Sequence, residues 1–134
     1  MGRRREAREK ALKELYRLEL TGDAWVPVSE TLIAPLAQTI VGAVMSRRDE
    51  IDAILAKTVE HWSIERLALI DKLVLRIGVA ELLFLPETPP KVAIDEAVEI
   101  AKKFSTEKSG SFVNGVLDKI WKSHVPDKAA GGAG

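Results

Sequence analysis

Between Ala68 and Phe84 the chain reads ALIDKLVLRIGVAELLF, an apolar run broken by only four charged side chains, Asp71, Lys72, Arg76 and Glu81. A helix this apolar has no wide polar face to offer water, so the run predicts the buried, central helix of a packed domain. The prolines of LPETPP end it: each disfavours helical conformation in the residue before it and pre-sets the backbone for a new start. Everything else in the chain has to supply the surfaces that cover this helix.

The neighbouring segments have the required period. Ala7, Ala11, Leu15 and Leu18 recur at three- and four-residue steps and predict a helix to about Leu20, stopped by Thr21, Gly22 and Asp23. Ser29 can cap a short helix through Ile33, and Pro35 suits the first turn of a longer one carrying Leu36, Ile40, Val44, Ile51, Leu55 and Trp62. SRRDE at Ser46 to Glu50 is the place where that helix bends or breaks, and Ser63 can cap a further turn. In KVAIDEAVEIAKKF the apolar set Val92, Ala93, Ala97, Ile100, Ala101 and Phe104 is again helical, with acids before lysines in the order a helix dipole favours. STEKSG breaks the pattern, SFVNGVLDKIWKS makes a last helix with Phe112 in its first turn, and PDKAAGGAG is expected to be a disordered tail. No segment alternates with a two-residue period, so the expectation is an all-α fold of six to seven helices with no sheet. One domain over residues 1–125 and a tail over 126–134 follow.

Composition excludes several function classes. With 46% hydrophobic and 30% charged residues the chain is globular rather than disordered, and no run of about eighteen uncharged apolar residues is present to span a membrane. The absence of cysteine removes disulfides, thiolate metal sites and a cysteine nucleophile together. His61 and His124 lack ligand spacing, and Gly42, Gly78, Gly110 and Gly115 never assemble a phosphate-binding loop. The reading is therefore a non-enzymatic protein with no metal and no cofactor, placed in the cytoplasm.

The 20 basic and 20 acidic residues cancel, but unevenly along the chain. Arg3, Arg4, Arg5, Arg8, Lys10, Lys13 and Arg17 outnumber Glu6, Glu9 and Glu14 at the start, while acids prevail from Glu81 to Glu99. A positive cluster at a helix N-terminus opposes the dipole, so it calls for another reason. Phosphate binding supplies one, because guanidinium groups make two-pronged charge-assisted hydrogen bonds and stay charged at any relevant pH. A solvated terminus is the plain alternative.

RRREAREKALKELY, with Arg4, Arg5, Ala7, Arg8, Glu9, Ala11, Leu15 and Tyr16, resembles the opening of the NusB family. LVLRIGVAELL at Leu73 to Leu83, PPKVAIDEAVEIAKKF at Pro89 to Phe104 and SFVNGVLDKI at Ser111 to Ile120 resemble its later motifs in the same order. The resemblance implies two packed helical bundles, about 3–62 and 63–125, and a transcription factor that pairs with NusE. Together the two would bind single-stranded boxA RNA and join an RNA polymerase antitermination complex, notably on ribosomal RNA operons. A protein-interaction module or homodimer without direct RNA contact is the alternative.

Single strands are held by cations on phosphates and aromatic rings on unstacked bases. The expected RNA set is Arg3, Arg4, Arg5, Arg8, Tyr16, Lys108, Ser111, Phe112 and Asn114. Tyr16 and Phe112 can each be core instead, and Asn114 can read a base edge or cap a helix. Asp71, Arg76 and Glu81 map onto the face that the family presents to NusE; Asp71 has a second reading as an N-cap, and the other two as partners of neighbouring helices. Gly115 reads as a close helix approach. Two positions depart from the family pattern. Ser111 stands where a lysine commonly precedes Phe-Val-Asn-Gly, with Lys108 as the substitute cation, and Ser105 stands where glycine commonly ends the preceding helix.

Overall fold

The computed structural model describes residues 2–25, 35–59 and 66–124, and the described residues form six α-helices and no strand. They are α1 (Gly2–Thr21), α2 (Pro35–Ser46), α3 (Arg48–Thr58), α4 (Leu69–Phe84), α5 (Pro90–Phe104) and α6 (Glu107–His124). The expected short helix at Ser29, the cap at Ser63, Trp62, His61 and the tail lie outside the described residues. No helix among the described residues is long and apolar enough to cross a membrane.

Each boundary has a local cause. Gly22 ends α1 at a φ of 75°, a left-handed backbone that suits a residue without Cβ, and its N–H returns to the Leu18 carbonyl at 2.9 Å. Pro35 and Pro90 occupy the first positions of α2 and α5, where a missing N–H costs nothing. The SRRDE break is a single turn residue, Arg47, after which α3 starts at once. At the α5 to α6 junction the break is shorter than its composition suggests. Thr106 accepts a hydrogen bond from the Ser109 N–H at 3.0 Å, caps the helix, and lets α6 begin at Glu107. Phe112 therefore lies in the second turn of α6 rather than the first.

Helix α4 is the centre: it packs against each of the other five, and every residue from Leu73 to Leu82 is buried. Buried apolar side chains from all six helices join it in one core. The close approach falls at Gly78, where an added Cβ would lie 2.5 Å from Leu117 Cδ1 of α6. Gly115 corrects the expectation made for it, since nothing lies within 4 Å of the place its Cβ would take.

Two ion pairs tie α1 to α4. Arg8 donates through Nε and Nη2 to the two carboxylate oxygens of Glu81 at 2.7 and 2.9 Å, and the Thr88 hydroxyl adds a third bond to Glu81 at 3.0 Å. Eleven residues further along α1, Glu19 accepts from Arg76 of α4 at 3.3 Å, while Asp52 of α3 takes the same guanidinium in two bonds at 2.9 and 3.0 Å.

Candidate nucleic-acid interface

Charged residues at α1 and α4 divide by depth. Arg8, Glu81 and Arg76 are 2%, 1% and 4% exposed and fully engaged with one another's helices. Their expected roles are corrected accordingly: Arg8 is buried in its pair with Glu81 and exposes no donor to a phosphate at the surface, and Arg76 and Glu81 spend their charges on neighbouring helices. The reason is the desolvation cost of a buried charge, which is tolerable only where the opposite charge is held in good geometry. The reading of Arg76 and Glu81 as partners of neighbouring helices is the one the contacts bear out.

Arg4 and Arg5 remain on the surface of α1, in opposite states. Arg4 makes no ion pair among the described residues, whereas Arg5 donates to Glu96 of α5 through Nε at 2.9 Å and Nη2 at 2.7 Å. The Arg3 side chain lies outside the described residues. One and two turns on, Lys103 of α5 reaches Glu9 at 3.0 Å, and the Phe104 ring has the ammonium groups of Lys103 and Lys13 at 5.3 and 6.0 Å from its centroid. Tyr16 is 39% exposed on the same helix.

A second feature lies where the first turn of α4 meets the α5 to α6 junction. A cleft of about 410 Å³ is lined by Arg66, Leu67, Ala68, Asp71, Thr106, Lys108, Ser109 and Phe112. Lys108 and Phe112 are four residues apart on α6 and so share a face. The half-buried Phe112 ring packs on the core and borders the cleft, and neither Lys108 nor Arg66 has an ion-pair partner among the described residues. Asp71 is not an N-cap, since it is the third residue of α4. Its Oδ2 accepts from the Ser109 hydroxyl at 3.0 Å, and Oδ1 is buried with no hydrogen-bond partner among the described residues. Ser109 Oγ also lies 3.1 Å from Thr106 Oγ1 and 3.0 Å from Ser105 Oγ, so three hydroxyls and a carboxylate join α4 to the junction.

This arrangement of helices is shared with known proteins. The NusB family profile matches residues 5–122. The chain belongs to the NusB family. It is 40% identical to the transcription antitermination protein NusB of Myxococcus xanthus, over 90% of this chain and 95% of that one. Its identity to NusB of Geobacillus kaustophilus is also 40%, over 88% and 95% of the two chains. Among solved structures, T. maritima NusB superposes with a TM-score of 0.83 at 36% identity, covering 93% of this chain and 94% of that one. A structure of the antitermination factors NusB and NusE in complex with dsRNA matches with a TM-score of 0.78 at 34% identity, over 92% and 100% of the chains. NusB proteins are regulatory transcription factors, not enzymes.

Both departures from the NusB pattern have local accommodations. Ser105 leaves α5 at a negative φ of −129°, outside the left-handed region that favours glycine. Ser111 is exposed and does not line the cleft, while Lys108, one turn earlier, does. Asn114 is exposed on α6 beside a shallow groove with Lys91, Asp95, Asp118 and Trp121, and its side chain makes no hydrogen bond among the described residues, which removes the capping alternative. Sequence reasoning missed Ser109, Thr106, Arg66 and Glu96. Thr106, a residue type that caps helices, stands just ahead of an acidic first turn at Glu107 and is a readable cap signal; nothing local marks Arg66.

Proposed function

We propose that this NusB chain works in the cytoplasm as a transcription antitermination factor. It pairs with NusE, binds boxA-type single-stranded RNA in nascent transcripts, notably of ribosomal RNA operons, and joins the RNA polymerase antitermination complex. The two bundles, α1 to α3 and α4 to α6, act as one domain. One observation carries the reading: a single cleft gathers Phe112, Lys108 and Asp71, an aromatic face, a free cation and an acid drawn from two helices. An unstacked base needs the first, its phosphate the second.

The phosphate contacts on α1 are assigned to Arg3, Arg4 and Arg5, with Arg8 withdrawn to the interior. Tyr16 and Asn114 are secondary base contacts, and Ser111 contributes at most a neutral hydroxyl. Asp71 is the one acid of the expected NusE face that reaches the surface, which keeps the NusE contact beside the RNA cleft. A partner basic enough to bind RNA would be drawn to it.

Gel filtration with and without NusE, followed by titration with boxA and scrambled RNA, tests the reading. A heterodimer that prefers boxA is expected. A homodimer that excludes NusE, or equal and weak binding of both RNAs, would overturn it.

A further inference from the structure

At the start of α1 the two surface arginines Arg4 and Arg5 differ in one respect: Arg5 already holds an anion and Arg4 has none among the described residues. The contact to Glu96 is two-pronged, at 2.9 and 2.7 Å, the same fork that a guanidinium presents to a phosphate. Glu96 is 17% exposed and Arg5 46%, so the carboxylate is anchored while the arginine remains within reach of a ligand. The anchor is a second arginine: Arg8 Nη1 stands 3.8 Å from Glu96 Oε1, and Arg8 is itself fixed on Glu81. Among the described residues, the neighbouring acids of this edge pair with lysines instead, Glu6 with Lys10, Glu9 with Lys103 and Glu99 with Lys102.

We propose that Glu96 is a specificity-determining residue of the RNA site, occupying Arg5 in the position a phosphate would take. The inference rests on the RNA-binding reading above. A strand that takes Arg5 through its Nε and Nη2 fork displaces the carboxylate and leaves it, largely shielded from solvent, with Arg8 alone. A strand held only by its backbone does not recover that cost, and it collects the cations that are free. A strand that also fills the cleft at Phe112 is held against α1 long enough for the exchange to take place. Discrimination is a difference of affinities, and an internal competitor that penalises the wrong ligand widens it. The hydrogen bond from Arg5, ahead of the opposing effect of burial, holds the Glu96 carboxyl below its ordinary range, and the same pair raises Arg5, so the competitor is charged at neutral pH.

Anisotropy titrations of boxA and scrambled RNA at several salt concentrations, with NusE present, test this on the full chain. Glu96→Gln keeps the side-chain shape and is expected to tighten binding of scrambled RNA by about 3- to 10-fold and of boxA by less. Its log-affinity against log-salt slope on scrambled RNA should steepen by about 0.7, one more phosphate on a single strand. In an Arg5→Ala background the same substitution should change neither quantity, because the coupling is between these two residues. A Glu96→Gln protein that matches the unsubstituted one on scrambled RNA would overturn the inference alone, as would an equal gain in the Arg5→Ala background, which would mark a long-range charge effect. Failure of the unsubstituted protein to bind either RNA would overturn the functional reading along with it.

Discussion

Arg8 and Glu81 close a two-pronged ion pair at 2.7 and 2.9 Å between the first helix and the central one, with both side chains almost wholly excluded from solvent. Removing one partner leaves the other charge buried and uncompensated, a loss of about 3–5 kcal/mol, whereas an apolar pair of similar volume is often neutral or better. Arg8→Ala or Glu81→Ala should therefore lower the urea midpoint sharply, and Arg8→Met with Glu81→Leu should recover most of it. The salt dependence of RNA binding by the protein that remains folded should not become shallower, since Arg8 itself meets no phosphate. An Arg8→Ala protein of normal stability with a shallower salt dependence of RNA binding would return Arg8 to the interface.

How far the sequence carries is clear at this pair. The central helix was legible because its apolar residues go all the way round. Arg8 belongs by composition to the arginine cluster but by register to the core, since it precedes Ala11, Leu12 and Leu15 by three, four and seven residues and so lies on the apolar stripe. Glu81 and Arg76 in an otherwise buried helix signalled that partners were needed, but their partners come from α1, α3 and the Thr88 loop, and pairing over such separations has no local mark. The cleft is legible in its residue types but not as one place, since Asp71 and Phe112 stand 41 residues apart on different helices and only the packing of α4 on α6 brings them together.

Phe112 separates folding from binding. Its ring is half-buried on the core, so truncation should cost less stability than the loss of about 3–5 kcal/mol typical of a fully enclosed ring. The larger effect of Phe112→Ala is expected in RNA binding, at about 1–3 kcal/mol, or roughly one to two decades in affinity. Melting curves and boxA titrations with NusE present check it. Collapse of the fold with proportionate loss of binding would sink the stacking role.

The glycines of α4 and α6 should respond in opposite directions. Gly115→Ala meets open space and gains helix propensity, for a stabilisation of about 1 kcal/mol. Gly78→Ala drives a methyl into Leu117, a buried side chain, and overpacking of about 1–3 kcal/mol should exceed that gain. Parallel denaturant titrations would compare them. A stabilised Gly115→Ala protein with weakened RNA binding would place the ligand backbone against that position.

Acid should weaken the Arg5 to Glu96 link in a defined direction. Because the Glu96 carboxyl titrates below its ordinary value of 4.5, its contribution to stability is complete above that value and fades as the pH falls through the lowered one. The melting temperature of the unsubstituted protein should thus exceed that of Glu96→Gln at neutral pH, with the two converging in strong acid. A gap that stays constant down to strong acid would show that the carboxylate charge is not what holds the pair.

The two links between α1 and α4 carry opposite signs: arginine on α1 meets glutamate at one end, and glutamate on α1 meets arginine at the other. Small helical bundles are prone to a mirror-like decoy in which one helix packs end for end, since apolar stripes alone scarcely distinguish the two directions. Here such a reversal would bring Arg8 against Arg76 and Glu19 against Glu81, setting like charges face to face. The first helix is in effect keyed for polarity, and a chain in which all four residues were replaced by leucine would keep its greasy seam while losing the instruction about which way round to lie.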